Sequence, residues 1–238
     1  MDELQKGNEP EWTEIGKEGG VMGLNKSKGN MYEFVTHTWN TIKGDCPHGC
    51  TYCYMKRWGN LKSVRFDEKE LKTELGAGNF IFVGSSCDMF AEEINADWIT
   101  QTLNHCKRFD NQYLFQSKNP GRMNQFSLPP KSIVCTTIET NRHYPEVMKN
   151  SPTPIQRALD ISKINSPIFI TIEPILDFDL EPFVELIKMC KPVQVNIGAD
   201  SGGNKLPEPS TKKIAELILE LKVYTAIKQK ANLARLMD

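Results

Sequence analysis

From residue 31 onward, short β-like runs alternate with stretches whose apolar residues recur at helical spacing. The strand-like runs are 32–38, 80–83, 113–115, 132–137, 168–172, 193–197 and 223–227. Between them, helical patterns cover 67–75, 96–109, 154–164, 181–190, 211–221 and 232–237. Thr153 and Ser210 have the chemistry of N-caps, Pro154 suits a first helical position, and Pro192 stops the helix before it. Six or seven strands, each followed by a helix or a long loop, predict a parallel sheet with right-handed crossovers. The units are too few for a complete eight-fold barrel, so the sheet is open or only partly curved. Residues 1–30 hold six glycines and little apolar periodicity. They predict a loosely ordered N-terminal arm that packs late through Trp12 and Met22, leaving 31–238 as a single core domain.

In an α/β sheet of this kind, sites gather beyond the C-terminal ends of the strands. Those ends are polar here: Gly84-Ser85-Ser86-Cys87-Asp88, Gln116-Ser117-Lys118-Asn119, Glu139-Thr140-Asn141-Arg142, Glu173-Pro174 and Gly198 to Gly203. One polar strand end is ordinary; several on one rim predict a shared pocket. The chain carries 29 Lys+Arg against 30 Asp+Glu, so the whole molecule is no general polyanion binder, and any such partner needs a local patch. No apolar run approaches the roughly 18–20 residues that span a bilayer. The first twenty residues are polar and acidic, unlike a secretory signal, which predicts a cytoplasmic protein.

Three of the seven cysteines fall within eight residues, in Cys46-Pro47-His48-Gly49-Cys50-Thr51-Tyr52-Cys53. An odd count without an export signal argues against a disulfide framework. Three thiolates on a short loop can hold three irons of a cubane cluster and leave the fourth open to a ligand. Pro47 and Gly49 help so short a loop curl. Two other uses compete. Zinc could recruit His48 as a fourth ligand, although His48 lies between the first two cysteines and no second ligand arm is present. A closed cluster would need a distant fourth thiol such as Cys87. Cys106, Cys135 and Cys190 fall within periodic patterns and read as core.

The C-x3-C-x2-C spacing after a first strand, with an aromatic before the last cysteine, resembles the radical SAM superfamily. The stretches Thr38-Trp39-Asn40, Phe82 to Phe90, Gln116 to Pro120, Thr171 to Leu176, Asn196 to Gly202 and Asn232 to Leu236 are similar to one branch. That branch is phage-associated, of unassigned function, and distantly similar to spore photoproduct lyase. The resemblance implies a (β/α)6 partial TIM barrel. It implies Cys46, Cys50 and Cys53 as ligands of a [4Fe–4S] cluster, with S-adenosyl-L-methionine (AdoMet) chelating the open iron. Reductive cleavage of AdoMet would give a 5′-deoxyadenosyl radical that abstracts hydrogen from a substrate. An external flavodoxin- or ferredoxin-like protein would supply the electron. Matching positions place Tyr52 near the adenine, Gly84, Ser85 and Ser86 near the methionyl amino group, and Glu139 near the ribose. The commoner Gly-Gly-Glu form is missing at that second-strand motif, and Asp88 would supply its carboxylate unless it only caps a helix. Glu173 is a rim carboxylate for cofactor or substrate, and Gly198 permits close backbone approach. Cys87 occupies a strand end where a hydrogen-atom donor would act, as a cysteine does in spore photoproduct lyase; a small buried residue is its ordinary use.

The substrate is less legible. No acidic residue lies between Cys46 and Phe66, whereas Lys56, Arg57, Lys62 and Arg65 are interleaved with Tyr54, Trp58 and Phe66. Lys118 and Arg122 extend the basic set. Together these six cations and their aromatics suit phosphate contact and base stacking, and predict a nucleobase in DNA or RNA as target. A solvated face without a partner is the plain alternative. A small anionic metabolite or peptide substrate, and a non-catalytic cluster module that only binds a partner, are the competing functions. Lyase-like and transferase-like outcomes are equally open.

Overall fold

The computed structural model describes residues 24–27 and 32–237. In chain order its elements are β1 (Asn25–Lys26), β2 (His37–Trp39), β3 (Ile42–Lys43), β4 (Arg65–Phe66), β5 (Phe80–Val83), α1 (Ala96–Cys106), β6 (Gln112–Gln116), α2 (Pro120–Met123), β7 (Ser132–Thr137), α3 (Pro145–Met148), α4 (Pro154–Ile161), β8 (Ile168–Ile172), α5 (Leu180–Met189), β9 (Gln194–Ile197), α6 (Thr211–Lys222) and β10 (Ala226–Gln229). One sheet runs β1-β2-β5-β6-β7-β8-β9-β10, and β3 pairs with β4 in a separate ribbon. Within the large sheet every pairing from β2 to β10 is parallel and β1 lies antiparallel on β2, while the β3–β4 ribbon is antiparallel. The sheet is open, with β1 and β10 at its edges. This is the parallel β/α class expected, with one more parallel strand than a (β/α)6 count.

Alternation along the strands sorts side chains onto two faces. Ile81, Val83, Phe115, Val134, Ile170, Ile172, Val195 and Ile197 pack against the helices through Ile99, Leu103, Ile161, Phe183, Ile187 and Leu217. Phe82, Leu114, Cys135 and Phe169 face the other way and are covered by Tyr32, Phe34 and Val35. Burial on both faces is why the strands read as continuous apolar runs. The two expected caps form: Thr153 accepts from the Gln156 amide at 3.2 Å, and Ser210 from the Lys213 amide at 3.4 Å.

Three expectations shift. Of 32–38, only His37 and Thr38 join the ladder, in a strand that runs on to Trp39, because Tyr32, Phe34 and Val35 turn onto the sheet face instead. The helix expected over 67–75 shrinks to a 3-10 turn, Glu68–Lys72, drawn down by Lys43, which donates to Asp67 (2.9 Å) and Glu70 (2.7 Å). The last strand starts later than 223, since Val223 and Tyr224 are exposed and Ala226 is the first residue in register with β9. The expected arm lies outside the described residues, Trp12 and Met22 included, except for 24–27, where Asn25–Lys26 forms the edge strand. Among the described residues no helix is long and apolar enough to cross a membrane.

Candidate functional site at the cysteine loop

Because β2 and β5 to β10 run parallel, their C-terminal ends share one rim. The cysteine loop docks there. On one flank the Thr51 amide donates to the Val147 carbonyl (3.0 Å), and Asn150 donates to the carbonyls of His48 (3.1 Å) and Pro47 (3.0 Å). On the other flank His48 Nε2 meets Asp88 Oδ2 at 2.8 Å, and the Tyr54 hydroxyl donates to the Ser85 carbonyl at 2.7 Å. The approach to the loop is tight. Gly44 has φ +113°, and a Cβ there would stand 2.6–2.9 Å from backbone atoms of Lys62 and Ser63.

The three loop thiols are unequally covered. Cys50 is buried, and Cys46 and Cys53 are partly so. Burial raises the Cys53 thiol, and the charges of Cys46 and Cys50 push it the same way. Among the described residues no three His, Cys, Asp or Glu side chains converge to hold a single metal ion. A cubane makes a different demand, since each thiolate binds its own iron at a separate corner. Three thiols on one short docked loop fit that demand. Beside them, Ser86 Oγ is buried and has no hydrogen-bond partner among the described residues, a polar atom available to a ligand.

The other expected residues divide. The Ser85 hydroxyl and the Ser86 amide both donate to Asn40 Oδ1, at 3.2 and 3.0 Å, so the turn after β5 is held in shape. Gly84 begins that turn, its amide donating to the Trp39 carbonyl. Cys87 is buried beside Cys46, and the pairing of the two thiols lowers the Cys46 thiol and raises the Cys87 thiol. The thiol expected to act as a hydrogen-atom donor thus lies beside Cys46.

For four residues the structure shows a use other than the expected one. Asp88 does not offer a free carboxylate: Oδ2 accepts from His48, Ser117 (3.0 Å) and the Lys118 amide (2.8 Å), and Oδ1 from the Phe90 amide (3.0 Å). Glu139 is fully buried, and its Oε2 faces Arg157 without a hydrogen bond among the described residues. Its carboxylate accepts from the Tyr52 hydroxyl and stands 2.9 Å from Arg157, itself fully buried. Burial pushes Glu139 up, but Arg157, Lys118 and Tyr52 outweigh it and hold the carboxyl below its ordinary range. Tyr52 consequently ties the cysteine loop to the sheet, with Lys118 5.2 Å over its ring. Glu173 accepts from Lys230 (2.6 Å) and Asn232 (2.8 Å). Gly198 makes room for that pair, since a Cβ would meet Glu173 and Asn232 oxygens at 2.8 Å.

Two of the six expected phosphate contacts also turn inward. Lys118 stands 3.7 Å from Glu139, and Arg122 donates to the carbonyls of Ala91, Glu92 and Ile94. Lys56, Arg57, Lys62 and Arg65 remain exposed and form no ion pair among the described residues. Asn40, Arg157, Lys230 and Asn232 were not singled out from sequence. Asn40 and Asn232 lie in stretches that carried the resemblance, which was the available signal. Arg157, on a helix that reads as ordinary, offered none.

No protein-family model matches the sequence, and no curated protein matches it significantly. Among solved structures, the chain is similar to a cysteine-to-serine variant of spore photoproduct lyase, with TM-score 0.59 and 9% identity over 84% of this chain and 78% of that one. It is also similar to a double variant of spore photoproduct lyase with bound AdoMet and dinucleoside spore photoproduct, with TM-score 0.58 and 8% identity over 87% and 80%. At this identity the likeness establishes a shared fold.

Two outcomes follow from the local geometry. Glu139→Gln leaves Arg157 buried without its counter-charge and should destabilise the protein by about 3–5 kcal/mol in urea denaturation. Because the folded-state pKa of Glu139 is depressed, its contribution is full above the ordinary carboxylate range and is lost as pH falls through the folded value. The denaturation midpoint of the wild type should therefore fall more steeply on acidification than that of Glu139→Gln. Gly44→Ala, clashing with backbone and forced to positive φ, should cost about 1–3 kcal/mol by the same measurement.

Proposed function

We propose that this chain is a radical SAM enzyme. The observation that carries the reading is the placement of Cys46, Cys50 and Cys53 on one docked loop at the C-terminal rim of a parallel sheet, beside the unpartnered Ser86 hydroxyl. Cys46, Cys50 and Cys53 would hold a [4Fe–4S] cluster, with AdoMet at its open iron. When bound, these groups supply reductive cleavage of AdoMet and a 5′-deoxyadenosyl radical that takes hydrogen from a substrate. The chain's own part is positional. The docking bonds of 147–151 fix the loop, Asn40 fixes the Gly84–Ser86 turn, and Ser86 Oγ offers a polar contact to the cofactor. The electron comes from an external flavodoxin- or ferredoxin-like protein.

The substrate we propose is a nucleobase in DNA or RNA. Lys56, Arg57, Lys62 and Arg65 are exposed just after the last cysteine, and Tyr54 and Trp58 are 47% and 39% exposed among them. Cations that engage phosphate and rings that stack on bases are what a single strand or a flipped base requires. A spore photoproduct lyase structure of the same fold holds a dinucleoside ligand. Lys118 and Arg122, which turn to inward partners, are left out of this proposed surface.

One observation favours a second reading of the metal site. The Cys87 thiol is buried beside Cys46 and would close the cluster as a fourth ligand, leaving an electron-transfer or binding module without radical chemistry.

After anaerobic reconstitution and reduction, the wild type should convert AdoMet to 5′-deoxyadenosine, and Cys50→Ala should fall to background. Cys87→Ala should keep its iron and sulfide; loss of the cluster there would establish the closed form. Added oligonucleotide should raise the 5′-deoxyadenosine yield, whereas stimulation only by small anions or peptides would replace the substrate assignment. Substituting Lys56 and Arg57 by Ala should weaken oligonucleotide binding. It should also reduce the slope of log K against log salt by about 0.7 for each single-strand phosphate that is no longer neutralised.

A further inference from the structure

His48 sits inside the three-cysteine loop, where a histidine invites assignment as a metal ligand. Its surroundings give it other work. The ring is 4% exposed, and Nε2 lies 2.8 Å from Asp88 Oδ2. A carboxylate facing Nε2 makes that nitrogen the proton-bearing donor and ties the ring to Asp88, so only Nδ1 could reach a metal while this bond holds. Asp88 is itself immobile, because Ser117 and the amides of Phe90 and Lys118 hold both of its oxygens. Those partners follow the ends of β5 and β6. The 147–151 segment grips the opposite flank of the loop through backbone bonds.

We infer that His48 is a positioning residue: through Asp88 it fastens the cysteine loop to the ends of β5 and β6, and thereby sets how firmly the loop retains its cluster. The inference rests on the cluster reading above. Hydrogen bonds behind metal ligands commonly change metal affinity 10–100-fold. Here the bond acts on the loop between Cys46 and Cys50, not on a ligand atom.

The test is the rate of cluster loss from reconstituted, anaerobic protein in excess chelator, followed by visible absorbance. His48→Phe keeps a ring and removes the donor; it should release iron about tenfold faster or more. His48→Gln keeps an amide donor within reach of Asp88 and should restore most of the retention. Asp88→Asn, which keeps an acceptor for Ser117 and the Lys118 amide, should also release iron faster, and it serves if His48→Phe does not fold. Melting of the apo-proteins establishes that each variant is folded. Equal retention in wild type, His48→Phe and Asp88→Asn would overturn the inference. So would loss in His48→Gln as complete as in Cys50→Ala, which would make His48 a ligand. Failure of the wild type itself to assemble a cluster would sink the reading of the site before this inference is reached.

Discussion

A loop of eight residues carrying three thiols cannot hold its own shape, and most of the structure around residues 46–53 is arranged to hold it. The loop makes little internal structure beyond the short bonds Gly49 to Cys46 and Cys53 to Cys50. Its geometry is borrowed: backbone bonds from 147–151 on one flank, the His48–Asp88 pair and the Tyr54–Ser85 bond on the other, and the Tyr52–Glu139–Arg157 link beneath. The buried link is the most demanding part. Two fully buried opposite charges gain little over an apolar pair, but removing either leaves the other stranded. Tyr52, bonded to Glu139, ties the cysteine loop to this buried pair.

The sheet was legible in the sequence because burial on both faces writes a strong local signal. The runs at 80–83, 132–137 and 168–172 coincide with β5, β7 and β8. Where local signal and tertiary packing disagreed, packing prevailed. Tyr32, Phe34 and Val35 have strand-like chemistry, yet they cover Phe82, Leu114 and Phe169 in place of joining a ladder. The acidic 67–75 segment has the first-turn chemistry of a helix, but Lys43 claims two of its carboxylates.

The rim was legible as a place and much less as a set of roles. Sequence spacing located the three cysteines and the polar strand ends, and all of them do share one rim. It could not show which polar groups already have partners. Asp88, Glu139 and Glu173 look available in the chain and are each held by neighbours up to 87 residues away. The same holds for charge. Lys118 and Arg122 are indistinguishable in sequence from Lys56 and Arg57, yet the first two turn inward and the last two stay exposed. A polar side chain's partner is a long-range fact, and no local pattern encodes it.

The decisive question for the proposed reading is how the loop thiolates would coordinate iron. The Mössbauer spectrum of the anaerobically reconstituted protein, recorded before and after addition of AdoMet, reads that coordination iron by iron. A cluster held by three loop thiolates has one distinctive iron, and AdoMet should shift this iron while leaving the others unchanged. A spectrum indifferent to AdoMet, with every iron in a thiolate environment, or a protein that takes up zinc in place of iron, would contradict the open-iron assignment.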